Sequence, residues 1–236
     1  MRLRYTGPML NHRFSSFSLA ASVALALAAC SVPAPPPAPV APLPVVVPAR
    51  PLPAAGRLAI DPQASLIAIT VRRGGPLARL GHDHVVAART VTGDVDPAGN
   101  RATLRFRLDA MTVDEPALRR EAGLDTQPSA EAIEGTRRNM LTRVLDAERY
   151  PWVDVALERQ GADTVGAAIT LHGVTRRYDV PVTIDATADG LRASGTLTLR
   201  QTDFGLVPFS VLGGAMAVQD VLELRFAIVA HSRPPT

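Results

Sequence analysis

The sequence predicts an all-β protein with one helix, and three observations carry that prediction. First, the last third of the chain alternates apolar and polar residues with a period of two. The apolar series are Val165, Ala167, Ile169, Leu171; then Tyr178, Val180, Val182, Ile184; then Leu191, Ala193, Gly195, Leu197, Leu199; then Leu222, Leu224, Phe226, Ile228. One apolar side on every run is the mark of antiparallel strands around a common interior. Second, turn signals separate the runs: His172-Gly173-Val174-Thr175, Ala188-Asp189-Gly190 and Gly213-Gly214. Third, helical spacing is confined to one stretch, Ser129 to Leu145. The count is about eight strands plus that helix, enough to close a barrel.

In chain order, residues 1–29 read as a targeting segment. Arg2, Arg4 and Arg13 precede an uncharged run, Phe17 to Ala29, that is too short to span a bilayer comfortably. Met9 is an alternative start that keeps this pattern. The segment ends in Leu27-Ala28-Ala29-Cys30, which resembles the bacterial lipobox, so Cys30 is the expected lipidation site. It is the only cysteine, so no intramolecular disulfide can explain it. Ser31 in place of aspartate resembles lipoproteins sorted to the outer membrane. The expected location is therefore the periplasmic side of the envelope, anchored by acyl chains. Residues 30–56 then form a tether, because ten of the twenty-three residues from Ser31 to Pro53 are proline. Proline fixes φ and removes donors, which favours extended polyproline II at ~3.1 Å per residue, about 70 Å in all.

The barrel domain is expected over 57–233. Ser65 to Arg72 is its first long strand, followed by the turn Gly74-Gly75-Pro76 and a β-rich run through Gly93. Ala102 to Asp109 alternates again, with Leu104, Phe106 and Leu108 against Thr103, Arg105 and Arg107. Glu115 to Leu124 reads as a short helix or an irregular excursion. Ser129 is placed to cap the helix, whose Ile133, Met140, Leu141 and Val144 share one face and would cover a barrel opening. Trp152 to Glu158 is the next strand, with Pro151 at its entrance and Trp152 near the rim.

Gly81-His82-Asp83-His84 is the one polar constellation suited to chemistry. In a strand, His82 and His84 would face the same side about 6.6 Å apart. Three readings stay open: a hydrogen-bonded turn, a contact to a ligand head group at a cavity mouth, and a metal site with Asp83 nearby. Metal sites normally need three or four protein ligands, and the sequence supplies two. His172 reads as a turn residue and His231 as part of a frayed tail.

Two stretches of the last third carry a family resemblance. Leu171-His172-Gly173-Val174-Thr175-Arg176 resembles the L-H-G-V-T-[KR] hairpin of YceI-like polyisoprenoid-binding proteins. Asp203-Phe204-Gly205-Leu206, Leu212-Gly213-Gly214 and Val218 to Leu224 are similar to that family's penultimate loop and last strand. Val144 to Pro151 matches a third family segment, and the resemblance spans roughly Arg57 to His231. It implies a closed, lipocalin-like antiparallel barrel with an elongated apolar cavity for a long isoprenoid. On that basis Ile69, Val71, Phe106, Val155, Ile169, Val182, Leu197, Phe204 and Phe226 are candidate tunnel-lining residues. His82, His84 and Arg137 are candidates for the mouth.

The expected function is a non-catalytic carrier of a polyprenyl phosphate or quinone, without a resident cofactor. No Gly-x-Ser-x-Gly, Walker loop or His-Glu-x-x-His occurs. A net charge of +3 without a basic, aromatic-rich stripe argues against nucleic-acid binding. Two alternatives stay open: a metal- or haem-binding protein using His82 and His84, and a structural lipoprotein with a filled barrel. The small residues Ala167, Ala193, Gly195, Ala217 and Ala227 are consistent with a vacant lumen. The oligomeric state is open, a homodimer included.

Overall fold

The computed structural model describes residues 56–124, 126–187 and 189–232. The targeting segment, Cys30 and the proline-rich stretch lie outside the described residues. The strands, in chain order, are β1 (Leu58–Ile60), β2 (Leu66–Gly74), β3 (His84–Ala88), β4 (Thr92–Asp96), β5 (Arg101–Arg107) and β6 (Thr112–Val113). They continue as β7 (Trp152–Arg159), β8 (Thr164–Leu171), β9 (Val174–Ala186), β10 (Gly190–Arg200), β11 (Ser210–Val211) and β12 (Met216–Ser232). The helices are α1 (Pro116–Glu121) and α2 (Ala130–Asn139).

Alternation becomes a closed barrel of eight antiparallel staves. β1 and β2 are halves of one kinked stave, because both run along β12: Leu58 faces Ser232 and Leu66 faces Ala227. The kink is an Asx turn in which the Asp61 carboxylate accepts from the Gln63 and Ala64 amides at 2.8 and 3.2 Å. β3 and β4 form the second stave, pairing with β2 and β1 respectively. β5, β7, β8, β9, β10 and β12 follow, each antiparallel to its predecessor. Closure is latched by Ser65, 2 % exposed, which accepts from the Val229 amide at 3.0 Å and donates to the Val229 carbonyl at 3.4 Å.

This up-and-down order gives the barrel two distinct ends. One end, the mouth, carries the β2–β3, β5–β7 and β10–β12 connections and the tight β8–β9 hairpin. The other, the floor, carries the start of β1, the end of β12 and the remaining hairpins. The β8–β9 hairpin turns on His172 and Gly173 with φ of 51° and 74°, a type I′ arrangement, and Tyr150 packs on His172 at 4.5 Å. The expected turn role of His172 is what the backbone displays. His231 differs from its expected place in a frayed tail. It is paired in β12 between Ala59 and Gly190, with Asp189 at 3.1 Å and Asp61 at 3.6 Å. The reason is that β12 extends past the apolar run to reach β1.

One seam is short. β9 pairs with β10 only from Val182 to Ala186, because Pro181 has no amide to donate and marks where the strands part. Gly195 faces this point: a Cβ there would lie 2.4 Å from the Pro181 carbonyl and 2.8 Å from the Phe226 ring. Gly195→Ala should therefore cost about 1–3 kcal/mol in urea unfolding. An unchanged midpoint would mean that the seam yields freely.

The helices close the remaining faces. α1 lays Leu118, with Leu124 just beyond it, on the outer side of β2 and β3, against Ala68, Val85 and Ala87. Ser129 caps α2 by accepting from the Ala132 amide at 3.2 Å. The helix ends in one π turn, Met140–Val144, and Ile133, Met140 and Leu141 pack on the core beneath it. The apolar face thus covers the mouth end, as the spacing predicts. Ala227 alternates with Phe226 and Ile228, which face the lumen, so it points outward rather than inside.

Candidate functional site

The staves enclose a cavity of about 440 Å³, within the range of sites that hold one small apolar molecule. Its wall draws on every stave, from Arg73 and His82 at the mouth to Asn100 and Arg159 at the floor. Along β10 it runs from Leu191 to Leu199, roughly 26 Å of strand at ~3.3 Å per residue. Between the ends the wall is almost wholly aliphatic. The lumen stays open because Ala167, Ala193 and Ala217 contribute methyl groups where larger side chains would meet across it.

Of the candidate residues, Ile69, Val71, Phe106, Val155, Ile169, Val182, Leu197 and Phe226 line this wall, and so do His82 and His84. Two candidates are placed elsewhere. Phe204 is fully buried, but it sits in a 3-10 turn, Gln201–Phe204, ended by left-handed Gly205. That turn directs its ring toward Tyr178 at 6.3 Å, beside the short seam rather than into the lumen. Arg137 donates to the Asp109 carbonyl at 2.5 Å, on the flank of α2. The face toward the lumen carries Thr136, Asn139, Met140 and Val144 instead. The three-four spacing of those residues was available in the sequence, but Thr136 and Asn139 carry no apolar signal.

The histidines are not both in a strand. His84 opens β3, whereas His82 lies in the preceding loop, exposed, with the two rings 6.3 Å apart and nearly perpendicular. Asp83 turns away from them. Its carboxylate accepts from the Arg73 amide at 2.8 Å and pairs with Arg72 and Arg73 at 3.6 and 3.7 Å. The carboxylate that does serve His84 is Asp114, which sequence reasoning missed. Asp114 Oδ2 lies 2.5 Å from His84 Nδ1, while Oδ1 accepts from the Val85 amide at 3.0 Å and from Arg119 at 2.5 Å. Arg119 is 1 % exposed and also donates to the Asp83 and Thr126 carbonyls. Asp114 adopts φ of 56° immediately before Glu115 and the helix-starting Pro116.

Burial raises the Asp114 carboxyl's pKa. The His84 hydrogen bond, the Val85 amide, the His84 charge and Arg119 together outweigh it and hold the group below the ordinary carboxylate value. An ionised Asp114 fixes the Nδ1 proton of His84 and leaves Nε2 directed at Thr136 Oγ1, 3.4 Å away at the lumen wall. Neutral His84 then accepts at Nε2, and the imidazolium donates there. Among the described residues, no three of His, Cys, Asp or Glu are grouped to hold a metal.

Comparison with known proteins bears on the fold. The chain is similar to the polyisoprenoid-binding domain from Saccharophagus degradans implicated in plant cell wall breakdown. The identity is 13 %, the TM-score 0.54, and the match covers 75 % of this chain and 98 % of that one. It is also similar to Burkholderia cenocepacia BcnA, at 14 % identity and a TM-score of 0.50, over 72 % of this chain and 98 % of that one. Among curated proteins no match is found. The YceI-like domain model matches residues 58–230, from the first stave to the closing one, and the chain belongs to the YceI-like domain family.

Proposed function

We propose that this protein is a non-catalytic carrier that holds one long isoprenoid lipid, a polyprenyl phosphate or a quinone, inside the barrel. The observation that carries this reading is a lumen that is apolar along its length and polar only at its ends. Burial of the tail supplies affinity, at about 25 cal/mol per Å² removed from water. At the mouth, His84 Nε2, His82, Thr136 and Asn139 surround the position a head group would take. A residue that either accepts from a hydroxyl or donates to a phosphate or quinone oxygen suits that task. Cys30 acylation and the proline-rich tether would hold the barrel on the periplasmic side of the envelope, at the outer membrane. The similarity to a polyisoprenoid-binding domain supports this choice of ligand class.

Native mass spectrometry with organic extraction of protein purified from a bacterial host tests the reading. The expected result is a retained mass that extracts as a polyprenyl or quinone species. Protein that is empty and also takes up no added isoprenoid would overturn it.

A further inference from the structure

At the mouth the cavity wall continues into two loops, residues 75–81 and 205–215, that form a single lip. The Leu77 amide donates to the Ala215 carbonyl at 2.8 Å, and Ala78, Gly81, Phe209 and Val211 line the cavity from these loops. The eighteen residues include one charge, Arg79, and no acid. Leu80, Val207 and Leu212 are 60, 77 and 71 % exposed. Trp152, less exposed at 36 %, is covered by the Arg105 guanidinium at 4.1 Å. Among the described residues, no guanidinium is found over Leu80, Val207 or Leu212.

The lip is held at its base. Asp220 accepts from the Thr202 amide at 2.9 Å and from its hydroxyl at 2.7 Å. Gln201 donates to the Gln219 carbonyl at 2.9 Å, and Gln219 donates to the Arg73 carbonyl at 3.0 Å. These bonds fill the bulge in β12 between Val218 and Leu222. The apolar tips are therefore displayed by a fixed frame. Cations flank them: Arg79 within the lip, and Arg143, whose guanidinium lies 4.9 Å over the Phe209 ring. Two acids lie two residues from the lip in sequence: Asp83 is engaged by Arg72 and Arg73, and Asp203 accepts from the Tyr178 hydroxyl at 3.3 Å while Arg176 donates to its carbonyl.

Clustered exposed apolar side chains mark an interaction site, and a lip whose one charge is cationic, with Arg143 beside it, matches an anionic surface. We infer that the lip docks on an anionic lipid bilayer. Leu80, Val207 and Leu212 enter the acyl boundary while Arg79 and Arg143 meet head-group phosphates. The inference rests on the isoprenoid reading, since docking there opens the lumen directly to the bilayer and an apolar tail then passes without crossing water.

The test uses the full chain with Cys30→Ala, which removes the only thiol, and one new cysteine carrying an environment-sensitive fluorophore. Val207→Cys and Leu212→Cys place the probe on the lip, and Ala98→Cys places it in the β4–β5 turn at the floor. With phosphatidylglycerol-rich vesicles, the lip probes should shift to the blue and the floor probe should not. Phosphatidylcholine vesicles should give a weaker shift. Leu80→Asp, Val207→Asp and Leu212→Asp together should slow transfer of a fluorescent polyprenyl lipid to vesicles at least about tenfold while retained lipid still extracts. A floor shift equal to the lip shift, or no lip shift, overturns docking. So does a lip shift that follows protein concentration without vesicles, which identifies a second copy as the occupant. Loss of lipid retention in the parent chain, with the lip shift intact, would instead remove the carrier reading alone.

Discussion

Asp114→Ala is expected to destabilise the barrel by about 3–5 kcal/mol, because it leaves the Arg119 guanidinium buried with its charge partner gone. Urea unfolding should show a lower midpoint with an unchanged slope, and Asp114→Asn, which keeps an acceptor in place, should lose less. The effect carries a pH signature. The folded carboxyl titrates below its ordinary value, since the bonds from His84, Val85 and Arg119 outweigh the raising effect of burial. Its contribution is therefore fully present above the unfolded carboxylate range, near ~3.9, and is lost as pH falls through the lower folded value. Parent and Asp114→Asn stabilities should differ at neutral pH and converge in acid. Parallel curves down to the lowest pH would mean that Asp114 is not ionised in the fold. The same variants should also loosen His84, so any head-group selectivity should fall with them.

The second large effect is expected from filling the lumen. Ala167 and Ala193 project methyl groups into it from β8 and β10. Ala167→Phe with Ala193→Phe should lower isoprenoid uptake by roughly a hundredfold or more, about 2.7 kcal/mol, measured by titration with a fluorescent polyprenol. Overpacking a filled core usually costs about 1–3 kcal/mol for each such insertion. Here both methyl groups border the cavity, so the thermal unfolding midpoint should fall by less than two such insertions cost in a filled core. A stable variant that no longer binds would place the ligand in the lumen. A variant that unfolds readily would favour the filled-barrel alternative.

The barrel was legible because its signal is periodic. Alternation from Val165 to Ile228 puts one apolar side on β8, β9, β10 and β12, and eight of the apolar candidates face the cavity. The helix was legible through Ser129 and the spacing of Ile133, Met140 and Val144. What alternation cannot carry is a side chain's role outside a regular strand. Phe204 sits in a 3-10 turn, where period-two reasoning has no meaning, and its burial gave no hint that it packs beside the lumen. Arg137 is a mouth candidate in the sequence, whereas its hydrogen bond to the Asp109 carbonyl decides where it points. Asp114 was invisible for a different reason: it lies thirty residues from His84, and only the closing of β6 on β3 brings them together. Its sequence signal, Asp114-Glu115-Pro116 before a short helix, indicates a helix start and nothing more.

The way the barrel closes also constrains how it forms. Most staves pair with a chain neighbour, which costs little loop entropy and can proceed as the polypeptide emerges. The Ser65–Val229 latch and the β2–β12 ladder instead join residues more than 140 positions apart. Until β12 is released, β1 and β2 have an unpaired edge and the lumen is an open trough. Cylinder formation therefore waits for β12. Before that step the apolar wall faces solvent. A lipid that reached the trough then would be enclosed by closure itself rather than threaded through the finished mouth.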